Sequence, residues 1–140
     1  MKDFKIPKLL PVGTELVCAC NSGAKKLLII GVKHQQSTDR RRNTAGVGSL
    51  VRVSVKEGKD ALKGKIYNAL VIRQKYPITR FVGKSKGKVC FRDNAAILLD
   101  EDAKVKKCVI KGPIAREVLV MKKHYEAIGG SIRWIKKKKF

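Results

Sequence analysis

Acidic residues are in short supply. Eleven Asp and Glu stand against 33 Lys and Arg in 140 residues, a formal net charge of +22. An excess of that size opposes compaction of the isolated chain and is relieved by a polyanion. Nucleic acid is therefore the first partner class and an acidic membrane surface the second. Long apolar runs are missing too: none approaches the roughly 20 residues of a spanning helix. The opening segment MKDFKIPKLLPVG lacks the apolar core of a secretion signal. The expectation is a soluble, cytoplasmic chain with no membrane partner. Its length suits one domain, residues 1–140, with a single modest core.

Residues that carry chemistry are equally sparse. There are two histidines, His34 in a polar stretch and His124 beside Lys122 and Lys123, and neither accompanies a nucleophile motif. Asp100, Glu101 and Asp102 lack the glycine-bearing spacing of a calcium loop and read as a polar turn. Gly46-Val47-Gly48 lacks the third glycine and the strand-to-helix context of a dinucleotide fingerprint, so it too reads as a turn. Four cysteines, Cys18, Cys20, Cys90 and Cys108, do not pair twice at zinc-ligand spacing. Cys18 and Cys20 share one face of a strand and read as small buried hydrophobes, and disulfides are not expected in a reducing compartment. The expectation is no catalytic residue, no metal and no cofactor. Aromatics make up 6% of the chain, and Tyr76, Phe81, Phe91 and Trp134 form no repeated strand-face pattern. That argues against processive single-strand binding by base stacking.

What the chain does have is short apolar segments between turn residues. TELVCAC (14–20), the Asn21-Ser22-Gly23 turn and KKLLIIGVK (25–33) predict a hairpin. In SLVRVSVK, Val51, Val53 and Val55 face one way while Arg52, Ser54 and Lys56 face the other. KIYNALVIR (65–73) predicts a strand buried on both sides around Ala69–Ile72. A basic loop, Gln74 to Lys88, then leads into VCFRDNAAILL, where Asp93-Asn94 turns the chain between two short strands. The spacing is that of an all-β barrel or sandwich, placed over residues 12–110. After Gly112-Pro113 the period changes: Ile114, Val118, Met121, Tyr125 and Ile128 predict one helix or two short ones within 113–128 that pack on the barrel. Arg116, Glu117 and Lys123 are expected on the opposite, free face as protein-partner contacts. Residues 131–140, with Lys136 and Lys137, read as a basic extended tail.

The cations recur at connections. Lys25 and Lys26 follow the first turn; Arg40, Arg41, Arg42 and Asn43 fill the next connection; Lys75, Arg80, Lys84, Lys86 and Lys88 crowd a third. With Arg52, Arg73, Lys136 and Lys137 they are the candidate RNA-binding residues. Loops gather at barrel rims, so these positions are expected to merge into one phosphate-binding surface. The planar arginine fork suits phosphate oxygens, and neighbouring glycines admit close backbone approach. RNA is favoured over duplex DNA because no zinc finger, basic zipper or recognition helix is present.

Five blocks give the chain a family likeness: CNSGAKKL (20–27), AGVGSLVRVSVKEG (45–58), KIYNALVIRQ (65–74), FRDNAAILLD (91–100) and KGPIARE (111–117). In this order they resemble the universal large-subunit ribosomal protein fourteen family, and the VIRQ ending looks like its archaeal and eukaryotic branch. The resemblance implies a five-stranded closed β-barrel with short C-terminal helices. It implies binding to large-subunit rRNA on the face that meets the small subunit, contacts with neighbouring ribosomal proteins, and an intersubunit bridge to small-subunit rRNA. Eukaryotic members also carry part of the docking surface for the anti-association initiation factor six and assemble in the nucleolus. The chain departs from the family pattern at Cys20, where an acid is usual, at Ser49, where Asp is common, and at Arg92, where an acid follows Phe. The 78–88 segment lacks the family's Asp-Gly pair, and Lys136 to Lys139 look like an extension. A free RNA-binding translation or assembly factor, or a small enzyme, are the readings of different class.

Overall fold

The computed structural model describes residues 4–33, 43–99 and 110–120. Its elements are β1 (Phe4–Lys5), β2 (Leu10–Pro11), β3 (Glu15–Cys18), β4 (Ala24–Val32), β5 (Thr44–Ala45), β6 (Leu50–Gly58), β7 (Ile66–Arg73), β8 (Ile78–Val82), β9 (Ser85–Val89), β10 (Ala95–Leu99) and α1 (Arg116–Val120). Strands β10, β3, β4, β6 and β7 close into a barrel in that order. Only the β10–β3 pair is parallel; the other pairings in the barrel are antiparallel.

Alternation along the strands builds this barrel. Leu16 lies opposite Leu27, and Leu27 opposite Val55, so one row of inward side chains crosses three strands. Ile29 opposite Val53 forms the next row. All five are almost fully buried, and each side chain contributes roughly 1.5–3 kcal/mol of apolar transfer. Arg52 and Lys56, at the intervening positions of β6, are exposed, as the period-2 reading predicted.

β7 breaks the alternation because both of its sides are covered. Ala69, Leu70, Val71 and Ile72 are all fully buried. Part of the cover is the turn at Gly46–Ser49, where Gly48 (φ +83°) donates its N–H to Val71 O at 2.8 Å. Another part is the segment before α1: Ala115 N–H donates to Ile72 O, and Ile110, Ile114, Ala115 and Val118 join the core.

The 74–88 connection is not a loop. β8 and β9 pair as an antiparallel hairpin around Gly83-Lys84, and β1 adds to its outer edge. Gly83 takes φ +60°, the left-handed conformation that matches a two-residue turn to the strand twist. The strand pattern is hidden in the sequence because β9 is exposed at four of its five positions. The expected helical segment is described only as α1. Its continuation through Met121, Lys123, Tyr125 and Ile128, the tail with Trp134, Lys136 and Lys137, and also His34, Arg40, Arg41, Arg42, Asp100–Asp102, Cys108 and His124, lie outside the described residues.

Candidate nucleic-acid interface

The register of the β1–β8–β9 sheet sorts its side chains onto two faces. Lys5 lies opposite Thr79, Thr79 opposite Lys88, and Phe81 opposite Lys86, so these five share one face. The other face carries Ile78, which is fully buried, and Arg80. The outer face therefore presents Lys5, Lys86 and Lys88, all exposed, with Lys84 at the hairpin tip. The Lys86 ammonium stands 6.0 Å from the Phe81 ring centroid, at the outer limit of a cation–π contact. Lys5 was invisible to sequence reasoning, since only the pairing of β1 with β8 brings it into line. Arg92, exposed on a groove of about 500 Å³ bounded by Phe91, Asp93 and Pro113, is a further cation beside the base of this hairpin.

A second group lies on the barrel wall and its far end. Lys25 and Lys26 start β4, but Lys26 Nζ is 3.1 Å from Glu57 Oε1, and the hydrogen bond and charge of that carboxylate raise its pKa. Lys56, Lys59, Lys63 and Lys65 are exposed around the β6–β7 connection at this same end. Lys59 N–H donates to Gly23 O, which ties that connection to the Asn21–Gly23 turn. Lys59, Lys63 and Lys65 are not among the sequence-based candidates because they are scattered singly among Gly, Asp, Ala and Leu, with no run to flag them. Arg52 is exposed midway along the wall, opposite Asn68. Asn43 is half-buried just before β5, and Lys75 is exposed, its backbone N–H donating to Asn94 Oδ1 at 2.8 Å.

The topology does not merge these groups into one rim. In an antiparallel series the β3–β4 and β6–β7 connections lie at one end, and the β4–β6 and β7–β10 connections at the other. Lys25 and Lys26 are thus separated from the Lys75–Lys88 segment by the length of the nine-residue β4, roughly 30 Å.

Three predicted contact residues are committed to internal bonds. The Arg73 guanidinium is buried: Nε and Nη2 donate to the two carboxylate oxygens of Asp93, at 2.6 and 3.1 Å, and Nη1 donates to Lys111 O and Pro113 O. It fastens β7 to the segment that leads into α1, which corrects its assignment to RNA. Glu117 is 2% exposed, not on a free helix face. Arg80 makes a bidentate pair with it, Nε to Oε1 and Nη2 to Oε2. Arg116 alone of the three expected partner contacts is described and exposed. Gln74, not singled out in the sequence, is buried and joins three segments: Oε1 accepts from Val47 N–H, and Nε2 donates to Pro7 O and Tyr76 O. Among the described residues no group of three or more His, Cys, Asp or Glu is placed to hold a metal ion.

The profile of the Ribosomal protein L14p/L23e family matches residues 9–130. The chain belongs to this family. It is 44% identical over 119 residues to the large ribosomal subunit protein uL14 of Nitrosopumilus maritimus, covering 84% of this chain and 83% of the relative. The uL14 of Methanothrix thermoacetophila is 43% identical over 114 residues, 81% and 84% of the two chains, and that of Methanoregula boonei 40% over 117, 84% and 86%. The L14p/L23e match runs from β2 through α1, so the barrel, the β8–β9 hairpin and the Arg73 and Arg80 bonds all fall inside it.

Proposed function

We propose that the chain is a structural constituent of the large ribosomal subunit, not an enzyme, and that it binds large-subunit rRNA with two basic surfaces. The observation that carries this reading is the L14p/L23e match over residues 9–130 of a chain with net charge +22. The geometry gives it a form. The Lys5–Lys86–Lys88 face meets phosphates at one end of the barrel; Lys25 and the lysines of the β6–β7 connection meet them at the other. A rigid body basic at both ends suits a position between two RNA segments, where shape and backbone contacts rather than base stacking give the fit. Arg40, Arg41, Arg42, Lys136 and Lys137 are offered as further phosphate contacts, and Arg116 and Lys123 as contacts for a neighbouring protein.

The finer proposals follow from family membership: a place at the subunit interface, a share of an intersubunit bridge to small-subunit rRNA, and a docking surface for initiation factor six. The test is composition. Large subunits stripped by high-salt washing should retain one copy per particle, with crosslinks from Lys86, Lys88 and Lys63 to large-subunit rRNA. Loss of the protein in the wash, with cycling between free and bound pools, would instead identify a translation or assembly factor.

A further inference from the structure

The two cysteines that open the family-like block CNSGAKKL are brought closer than core packing requires. Their Sγ atoms are 3.3 Å apart. Ser22 Oγ lies 3.2 Å from Cys20 Sγ and 3.8 Å from Cys18 Sγ. Both thiols are free and buried, yet the next residue, Asn21, is exposed, so one turn separates the pair from solvent. We propose that Cys18 and Cys20 form a dithiol site that hydrogen peroxide oxidises to an intrachain disulfide. This goes beyond the ribosomal reading and does not depend on it.

Three observations favour a disulfide over an inert pair or a metal site. First, the sulfurs must close by only roughly 1.3 Å to reach the bond length of about 2.04 Å. Second, no described His, Asp, Glu or third Cys completes a metal-binding set, and two thiols fall short of the four ligands of structural zinc. Third, the pair shares a proton. The hydrogen bond between the two sulfurs lowers the Cys20 thiol, while the same bond and burial push Cys18 up. One nucleophilic sulfur thus sits against one protonated neighbour.

The step balances. The Cys20 thiolate attacks one peroxide oxygen, the O–O bond breaks, and the leaving hydroxide takes a proton from solvent to become water. Cys20 is then a sulfenic acid. The Cys18 sulfur attacks the Cys20 sulfur, the S–O bond breaks, and the departing hydroxide takes the Cys18 proton as a second water. The pair, one thiolate and one thiol at the start, has lost two electrons and one proton; the peroxide has gained these and one further proton from solvent.

The bond forms across Ala19, which is pinned on both sides: its N–H donates to Ala96 O at 2.9 Å and its carbonyl accepts from Lys111 N–H at 2.6 Å. Residues two apart in a strand have Cα atoms about 6.6–6.8 Å apart, the upper edge of disulfide geometry. Closing the ring pulls on the β3–β10 seam and on the Cys20–Ile110 bridge. A bond under such tension is readily reduced, so it behaves as a reversible switch rather than a staple.

The test uses the reduced full-length protein, treated with hydrogen peroxide at neutral pH, then denatured, alkylated and cleaved after lysine. Cys18 and Cys20 fall in one peptide, Leu9–Lys25. The expected result is that this peptide loses two hydrogens, escapes alkylation and is restored by dithiothreitol, while exposed Cys90 reacts more slowly. In Cys20→Asp, Cys18 should resist oxidation; the wild-type time course stands alone if that variant does not fold. Three outcomes would each overturn the proposal: both thiols alkylated when Cys90 is already oxidised, a linkage to Cys108 instead, or a bond that forms only in denaturant.

Discussion

Arg73 and Arg52 stand on neighbouring strands and are alike on paper, but one is a buried fastener and the other an exposed cation. The sequence offers no means of telling them apart, because both follow Val or Ile in a strand; what decides is the Lys111–Pro113 segment, 38 residues away, returning to accept from Arg73. Arg73→Ala strands two carbonyls and Asp93 without their donors. We expect a loss of about 2 kcal/mol, discounted because Asp93 remains partly exposed, read as a lowered denaturant midpoint with an unchanged salt slope of RNA binding. Arg52→Ala should do the reverse. Gly112 belongs to the same knot: it takes φ +80°, and a Cβ there would lie 2.7 Å from Arg73 Nη1, so Gly112→Ala should also destabilise. At the dithiol, the hydrogen bond to Cys18 lowers the Cys20 pKa below that of an ordinary thiol, so a larger share of it is charged at neutral pH. Its peroxide reaction should rise less steeply between pH 6 and 8 than that of an ordinary thiol of pKa about 8.5, which quickens close to tenfold per unit. A rate that climbs tenfold per unit for the Leu9–Lys25 peptide would contradict the shared-proton geometry.

At the scale of elements, the barrel strands were legible and the appended sheet was not. Val51, Val53 and Val55 alternate with polar residues because one side of β6 meets the core and the other meets water. Ala69–Ile72 read as doubly buried and are so. Leu70→Asp and Val71→Asp should therefore give no folded protein by circular dichroism, since each places an unpaired charge in the core. The β8–β9 hairpin escaped notice because it packs on the barrel through few residues, chiefly Ile78, so no apolar period marks it. Glu117 was misplaced for a related reason. Helical spacing from Ile114 and Val118 identifies the face toward the barrel, but it says nothing of a second neighbour covering the side next to it. That neighbour is the hairpin, joined through Arg80. Arg80→Ala leaves a buried carboxylate without its cation and should cost about 3–5 kcal/mol, with Arg80→Ala/Glu117→Leu recovering part of the loss. Equal stability of the single and double variants would show that the pair does not couple the sheet to α1.

For the whole molecule, charge was the most legible property and its distribution the least. A net charge of +22 points to a polyanion from composition alone. Where the cations lie depends on strand direction: successive antiparallel connections alternate between the barrel's ends, so clusters that look continuous in sequence are divided in space. Lys5 enters its cluster only through pairing of the chain's beginning with β8. The proposal that the outer face of the β1–β8–β9 sheet grips rRNA phosphates is tested by the salt dependence of binding to a large-subunit rRNA fragment. For Lys5→Ala/Lys86→Ala/Lys88→Ala, whose side chains are exposed and whose removal leaves the core intact, the fold should hold. The plot of log K against log salt should lose about 2 to 3 of its slope, near 0.7–0.9 for each phosphate contact. A triple variant that folds and binds with the wild-type slope would contradict the claim.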